Sequence, residues 1–181
     1  MDEDPPRALG VPIDSIDERW DVEERLGTLW RMARFGPTVE GLRRHVLQGG
    51  ERSIEAGQFR ALDAVAGHGP CAVRELALVM GLEPSSVTRA LSRLEAEGWI
   101  EKNRSTHDQR EVLVGLTDAG REQHRYFVDR AFATYQDIFV VFSGQERIVL
   151  ADLLERMLKS TEAVLSDAVD LDPDSERREG D

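Results

Sequence analysis

Between Gly81 and Gly98 the sequence specifies a helix together with both of its ends. Pro84 suits a first helical position, where its missing N–H would have been unpaired anyway, and Gly98 suits the left-handed residue just past the last turn. At about 100° per residue, Val87, Ala90, Leu91 and Leu94 fall on one side, and Ser85, Arg89, Ser92 and Arg93 on the other. The first side asks for a hydrophobic core. The second carries hydroxyls and guanidinium groups, the donors that meet phosphates and base edges in a DNA groove. A helix with a merely solvated, arginine-bearing face has the same pattern, so the neighbouring elements have to separate the two readings.

Those neighbours are specific. Arg74 to Met80 forms a short helix with Leu76, Val79 and Met80 inward, and Gly81 is placed to end it. Two short helices joined by the turn Gly81-Leu82-Glu83 make a helix-turn-helix, whose second member is the usual reading element. Upstream, Phe59, Leu62, Val65 and Ala66 mark another short helix, ended by Gly67-His68-Gly69-Pro70, and Cys71 to Val73 is too brief for more than an isolated β-bridge. Downstream, Trp99 to Arg104 is a predicted strand, Ser105 to Gln109 a polar turn, and Glu111 to Leu116 a second strand with Val112 and Val114 on one face. A hairpin directly after a helix-turn-helix is the winged-helix arrangement.

The flanks are helical. From Ile16, the residues Trp20, Val22, Leu26, Leu29, Trp30 and Phe35 recur at three- and four-residue steps until Gly36-Pro37 interrupts them; Thr38 to Leu47 resumes the pattern. Two helices or one bent helix satisfy this stretch equally. Gln48 to Gly57 is a polar loop. Thr117 can cap a helix running through Tyr126, Phe127, Phe132, Tyr135 and Phe139 to about Phe142, and Ser143-Gly144-Gln145-Glu146 has the form of a capping box opening another. The expected architecture is mainly α. It comprises an acidic flexible arm (1–15), N-terminal dimerisation helices (16–57), a winged helix-turn-helix with a small β-hairpin wing (58–116), C-terminal dimerisation helices (117–168) and an acidic disordered tail (169–181). Long apolar stripes on both sides of a small domain exceed what that domain can cover, and a second copy is the economical partner.

Charge narrows the chemistry. The net charge is −12, yet residues 1–24 hold nine acids against Arg7 and Arg19, and residues 167–181 hold seven against Arg177 and Arg178. These ends account for the whole excess, leaving residues 25–166 with 19 basic and 19 acidic side chains. A neutral body lacks the broad basic field of a non-specific nucleic-acid binder, so DNA contact must come from a few well-placed arginines. No wholly apolar segment exceeds five residues, as at Ile138 to Phe142, so neither a signal peptide nor a membrane span is expected. A single cysteine, Cys71, makes no internal disulfide, and the expected compartment is the cytoplasm. Four histidines, at 45, 68, 107 and 124, show no ligand spacing. Without a phosphate loop, a nucleophile with its base or a distinctive carboxylate pair, no enzyme, metal or cofactor is expected.

Gln58-Phe59-Arg60-Ala61-Leu62, Glu75-Leu76-Ala77, Ser85-Ser86-Val87-Thr88-Arg89, Leu91-Ser92-Arg93-Leu94-Glu95, Gly98-Trp99-Ile100 and Leu116-Thr117-Asp118-Ala119-Gly120-Arg121 stand in one register. In that order and spacing the chain resembles the MarR family of bacterial transcription regulators. The resemblance implies a homodimeric winged-helix regulator, a repressor or an activator, with the first and last helices at the dimer interface and double-stranded DNA as partner. It implies DNA contacts from Ser85, Ser86, Thr88, Arg89 and Arg93, with support from Arg74 on the preceding helix and Arg104 in the wing. The family's wing carries an Asp-x-Arg pair whose arginine approaches the minor groove, and Asp108-Gln109-Arg110 keeps it; many members have a further arginine where this chain has Gln109. Family members also take up small aromatic or anionic effectors. Trp20, Trp30, Arg34, Phe35 and His45 are the candidate lining here, with interface packing as the alternative. Cys71 is expected to be a small buried residue, since sensor cysteines of some relatives lie in the first helix. The competing function is a winged-helix protein-interaction module without DNA binding.

Overall fold

The computed structural model of the chain describes residues 21–104 and 112–170, with side chains of the last helix described through residue 165. The arm 1–15, the helix start at Ile16 with Trp20, the wing tip including Asp108 and Arg110, and the tail from residue 171 lie outside the described residues. The chain divides into two compact units, Met1–Phe132 and Ala133–Asp181, with the boundary inside one helix.

The first unit opens with α1 (Val22–Phe35) and α2 (Pro37–Gln48). Asp21 caps α1, its carboxylate accepting the Glu23 N–H at 3.3 Å. Gly36 resolves the ambiguity of the Gly-Pro break into two helices. Its N–H donates to the Met32 carbonyl at 2.9 Å, a Cβ there would stand 2.5 Å from that same oxygen, and Pro37 begins α2. The loop that follows contributes one core residue, Ile54, which is buried despite its polar surroundings.

Next come α3 (Ala56–His68), β1 (Cys71–Ala72), α4 (Val73–Met80), α5 (Pro84–Ala96), β2 (Ile100–Arg104) and β3 (Val112–Leu116). The three strands form one antiparallel sheet in the order β1-β3-β2. Cys71 and Ala72 are therefore more than the isolated bridge expected: Cys71 pairs with Val114 and Ala72 with Leu113, and Val73 already belongs to α4. Cys71 is buried, as expected. A second correction concerns α4, where Leu76, Ala77 and Met80 are buried while Val79 is half exposed. At about 100° per residue the centre of that stripe lies between Leu76 and Ala77, and Val79 falls to its flank. Val112 and Val114 share a face, but only Val114 is buried; Val112 lies on the wing beyond the core.

The core gathers Leu62, Val65, Leu76, Val87, Leu91, Leu94, Val114 and Phe127, all essentially inaccessible to water. Each such aliphatic side chain contributes about 1.5–3 kcal/mol on burial. Phe127 comes from α6 (Asp118–Phe139) and packs edge-on against Phe59 and Tyr126, with ring centroids 5.9 and 5.1 Å away. Thr117 caps α6 as predicted: its Oγ1 accepts the Gly120 N–H at 3.0 Å and donates to the Gly98 carbonyl at 2.7 Å. That one side chain ties the start of α6 to the end of α5.

In the second unit α6 ends at Phe139, three residues before the predicted end. The capping box is present: the Ser143 N–H donates to Glu146 at 2.8 Å and the Glu146 N–H to Ser143 Oγ at 3.3 Å. It opens α7 (Gly144–Asp170). Ile148, Val149, Leu153, Leu154, Leu158, Val164 and Leu165 on α7 are all exposed in the single chain. No helix among the described residues is long and apolar enough to cross a membrane.

Candidate nucleic-acid interface

Two left-handed glycines set the geometry of the helix pair. At the end of α4, Gly81 adopts φ 59°, its N–H donates to the Leu78 carbonyl at 3.1 Å, and the Leu82 N–H donates to the Ala77 carbonyl at 3.1 Å. At the end of α5, Gly98 adopts φ 72°, and the Gly98 and Trp99 N–H groups bond the Glu95 and Leu94 carbonyls at 2.9 Å each. Both are Schellman closures, which satisfy the last carbonyls and turn the chain sharply. The first aims α5 away from α4, and the second sends the chain straight into the wing.

Between those turns α5 packs on α3 and α4 through Val87, Leu91 and Leu94. Ser85, Ser86, Thr88, Arg89, Ser92 and Arg93 are all exposed, so the two faces expected from the sequence are separated cleanly. Thr88 Oγ1 donates to the Pro84 carbonyl at 2.8 Å and Ser92 Oγ donates to the Thr88 carbonyl at 2.9 Å. Lys102 on β2 bonds Glu95 on α5, fixing the base of the wing to that helix. Arg74 is exposed on α4, and Arg104 is exposed at the end of β2, opposite Val112. Asp108 and Arg110 lie outside the described residues.

The residues expected to line an effector site are more scattered. Arg34 lies over the ring of Phe35 at 5.1 Å, and Trp30, Phe35 and His45 are exposed on α1 and α2. Trp20 lies outside the described residues. A cleft of about 450 Å³ opens elsewhere, beside the wing, lined by Val65, Pro70, Arg104, Leu113, Leu116 and Arg121 among others. Among the described residues no cluster of three histidine, cysteine or carboxylate side chains is placed to hold a metal ion.

Several positioning residues escaped the sequence reading because their partners are remote in the chain. Arg52, in the loop before α3, bonds Glu122 at 2.7 Å and Gln123 at 3.0 Å and lies over the Tyr126 ring at 5.2 Å. The Arg52 hydrogen bond, and then its charge, hold the Glu122 carboxyl below the usual carboxylate range. Arg130 donates to the His45 and Val46 carbonyls, closing the end of α2 from α6. His124 and Asp63 approach to 2.8 Å across α6 and α3, with Phe59 stacked on the imidazole. Their only signal in the sequence was charge in otherwise ordinary places.

A family model described as the MarR family matches residues 54–112. The chain is 31% identical over 108 residues to the multiple antibiotic resistance protein MarR of Escherichia coli, covering 58% of this chain and 74% of that protein. A crystal structure of a mutant of that protein aligns with a TM-score of 0.63 at 27% identity, over 74% of this chain and 96% of the other. The transcriptional repressor NicR of Pseudomonas putida is 25% identical over 84% of this chain and 92% of its own length. A structure of Bordetella bronchiseptica BpsR, described as regulated in its DNA binding by 6-hydroxynicotinic acid, aligns with a TM-score of 0.59 at 25% identity, over 76% of this chain and 96% of the other. Other curated regulators are matched over only part of their length: the chain spans 65%, 48% and 52% of three of them, about half to two thirds.

Proposed function

This chain belongs to the MarR family, and we propose that it is a sequence-specific DNA-binding transcriptional regulator acting as a homodimer on a pseudo-palindromic operator. The observation that carries this reading is α5 itself: Val87, Leu91 and Leu94 are consumed by the core, while three serines, a threonine and two arginines are left to the solvent at the outer edge of a helix-turn-helix. Each protomer places one α5 in a major groove, with half-sites about 10 bp apart. Ser85 and Ser86, at the positive end of the helix, meet phosphate. Arg89 takes guanine O6 and N7, and Arg93 takes phosphate. Arg74 and Arg104 add backbone contacts, and the Asp108–Arg110 pair brings the wing to the minor groove. The dimer is held by the helices of residues 16–57 and 117–168.

Repression follows from occupying a promoter. The repressor NicR among the relatives supports that sign of regulation, and BpsR supports relief by a small aromatic or anionic effector. The effector would act through Trp20, Trp30, Arg34, Phe35 and His45, by binding one separation of the two reading helices better than the other.

A gel shift of the full chain against promoter DNA at two salt concentrations tests the proposal. A shifted band that weakens as salt rises is expected, because each neutralised phosphate releases counterions. No shift at low salt would sink it and leave the protein-interaction module, which the neutral body favours, as the surviving reading.

A further inference from the structure

The hydroxyls on the outer face of α5 are chemically unlike one another. Thr88 and Ser92 have each given their single hydrogen to the carbonyl four residues back, at 2.8 and 2.9 Å. A hydroxyl has one donor and two lone pairs, so both exposed side chains turn only acceptors outward. Ser85 and Ser86 have no side-chain hydrogen bond among the described residues and keep their hydrogens available. A phosphate offers only acceptors. It can therefore be met by Ser85 and Ser86, while Thr88 and Ser92 would first have to break their backbone bonds, at a cost of about three- to tenfold in affinity each.

In the major groove, guanine presents acceptors, thymine an acceptor and a methyl group, and only adenine and cytosine present amino donors. We propose that Thr88 and Ser92 read exocyclic amino groups, adenine N6 or cytosine N4, flanking the guanine read by Arg89. This inference rests on the regulator reading and adds the base chemistry of the operator to it. Thr88 adjoins Arg89, so its amino group belongs to the same base pair as the guanine or to the next one. Ser92 lies four residues further along α5, about 6 Å along the axis. Each half-site thus presents two amino groups, one of them at or beside a guanine.

The test is selection from a randomised duplex library by the full chain, followed by affinity measurements on the selected site. N6-methyladenine or N4-methylcytosine is then placed at each amino position; the methyl replaces the groove-facing hydrogen and leaves the pairing hydrogen intact. The wild-type chain should lose about three- to tenfold at each position. Thr88→Ala should lose no further affinity on methylation at the first position, and Ser92→Ala none at the second. Both substitutions are at exposed sites, and alanine favours the helix. A selected site whose amino groups can be methylated without loss overturns the inference and leaves the regulator standing. So does an equal loss for all sequences in the two variants, with the salt dependence unchanged, since that is the behaviour of a neutral hydroxyl on phosphate. If no sequence is selected at all, the regulator reading falls and this inference falls with it.

Discussion

Arg89 is fully separated from the core that Val87 and Leu91 build on either side of it, so its removal leaves the fold intact and takes away only what it meets outside. Arg89→Ala should weaken binding to the selected operator by about 1–3 kcal/mol, roughly 5- to 150-fold. Binding to a scrambled duplex should hardly change, and titrations against both duplexes check this; equal losses would remove Arg89 from base reading. Cys71 makes the opposite case, a reactive residue type held out of reach. It is buried on β1, and burial, with Glu75 nearby as a lesser cause, raises its thiol above the ordinary range. A folded-state value raised in this way favours the neutral thiol. Labelling by a disulfide reagent at neutral pH should therefore follow unfolding, with a rate that rises steeply with denaturant. Prompt labelling of the native chain would mark it as an accessible sensor thiol instead.

At the scale of elements, junctions rather than helices are the sensitive points. Gly120, in the first turn of α6, lies so close to the end of α5 that a Cβ would stand 1.8 Å from the Trp99 carbonyl oxygen. Gly120→Ala should cost about 3 kcal/mol, since backbone cannot give way as a side chain can. Gly57→Ala in α3, where a Cβ meets nothing within 4 Å, should instead gain about 0.5–1 kcal/mol. Urea midpoints of the two variants decide the matter, and similar values would refute the close approach. The capping box of α7 predicts a pH dependence. Hydrogen bonds from Ser143 hold the Glu146 carboxyl below its usual range. A depressed folded value contributes stability above the unfolded value that is lost as pH falls through the folded one. Ser143→Ala should therefore lower the melting temperature at neutral pH, by a margin that shrinks as the pH drops below the carboxylate range. A margin independent of pH would show that the bond from the Ser143 hydroxyl to the Glu146 carboxylate contributes nothing.

For the whole molecule the unsettled surface is apolar. α7 alone exposes Ile148, Leu153, Leu154, Leu158, Val164 and Leu165, and exposed apolar faces of this kind mark interaction surfaces. If a second copy covers this face, Leu158→Glu should shift the chain from dimer to monomer in sedimentation, with the helical content of the winged-helix lobe retained. A dimer that persists would move the interface elsewhere. The winged helix itself could be read from the sequence, because its signals are local: Pro84 and Gly98 bound α5, Val87, Leu91 and Leu94 mark its inner face, and Thr117 and Ser143 carry their capping chemistry within one turn. What local signals could not contain was decided by the tertiary structure. β1 became a strand only because Val114, more than forty positions away, offers it a partner. Val79 turned outward because α4 is too short to set its own orientation and follows the elements it packs on. Arg52 acquired its role from α6 and Arg130 its own from α2, and the hydroxyls of Thr88 and Ser92 became acceptors through bonds that residue identity alone leaves open. Residue type fixes what a group is able to donate or accept, and only the folded chain determines which of those capacities is already used and which faces the solvent.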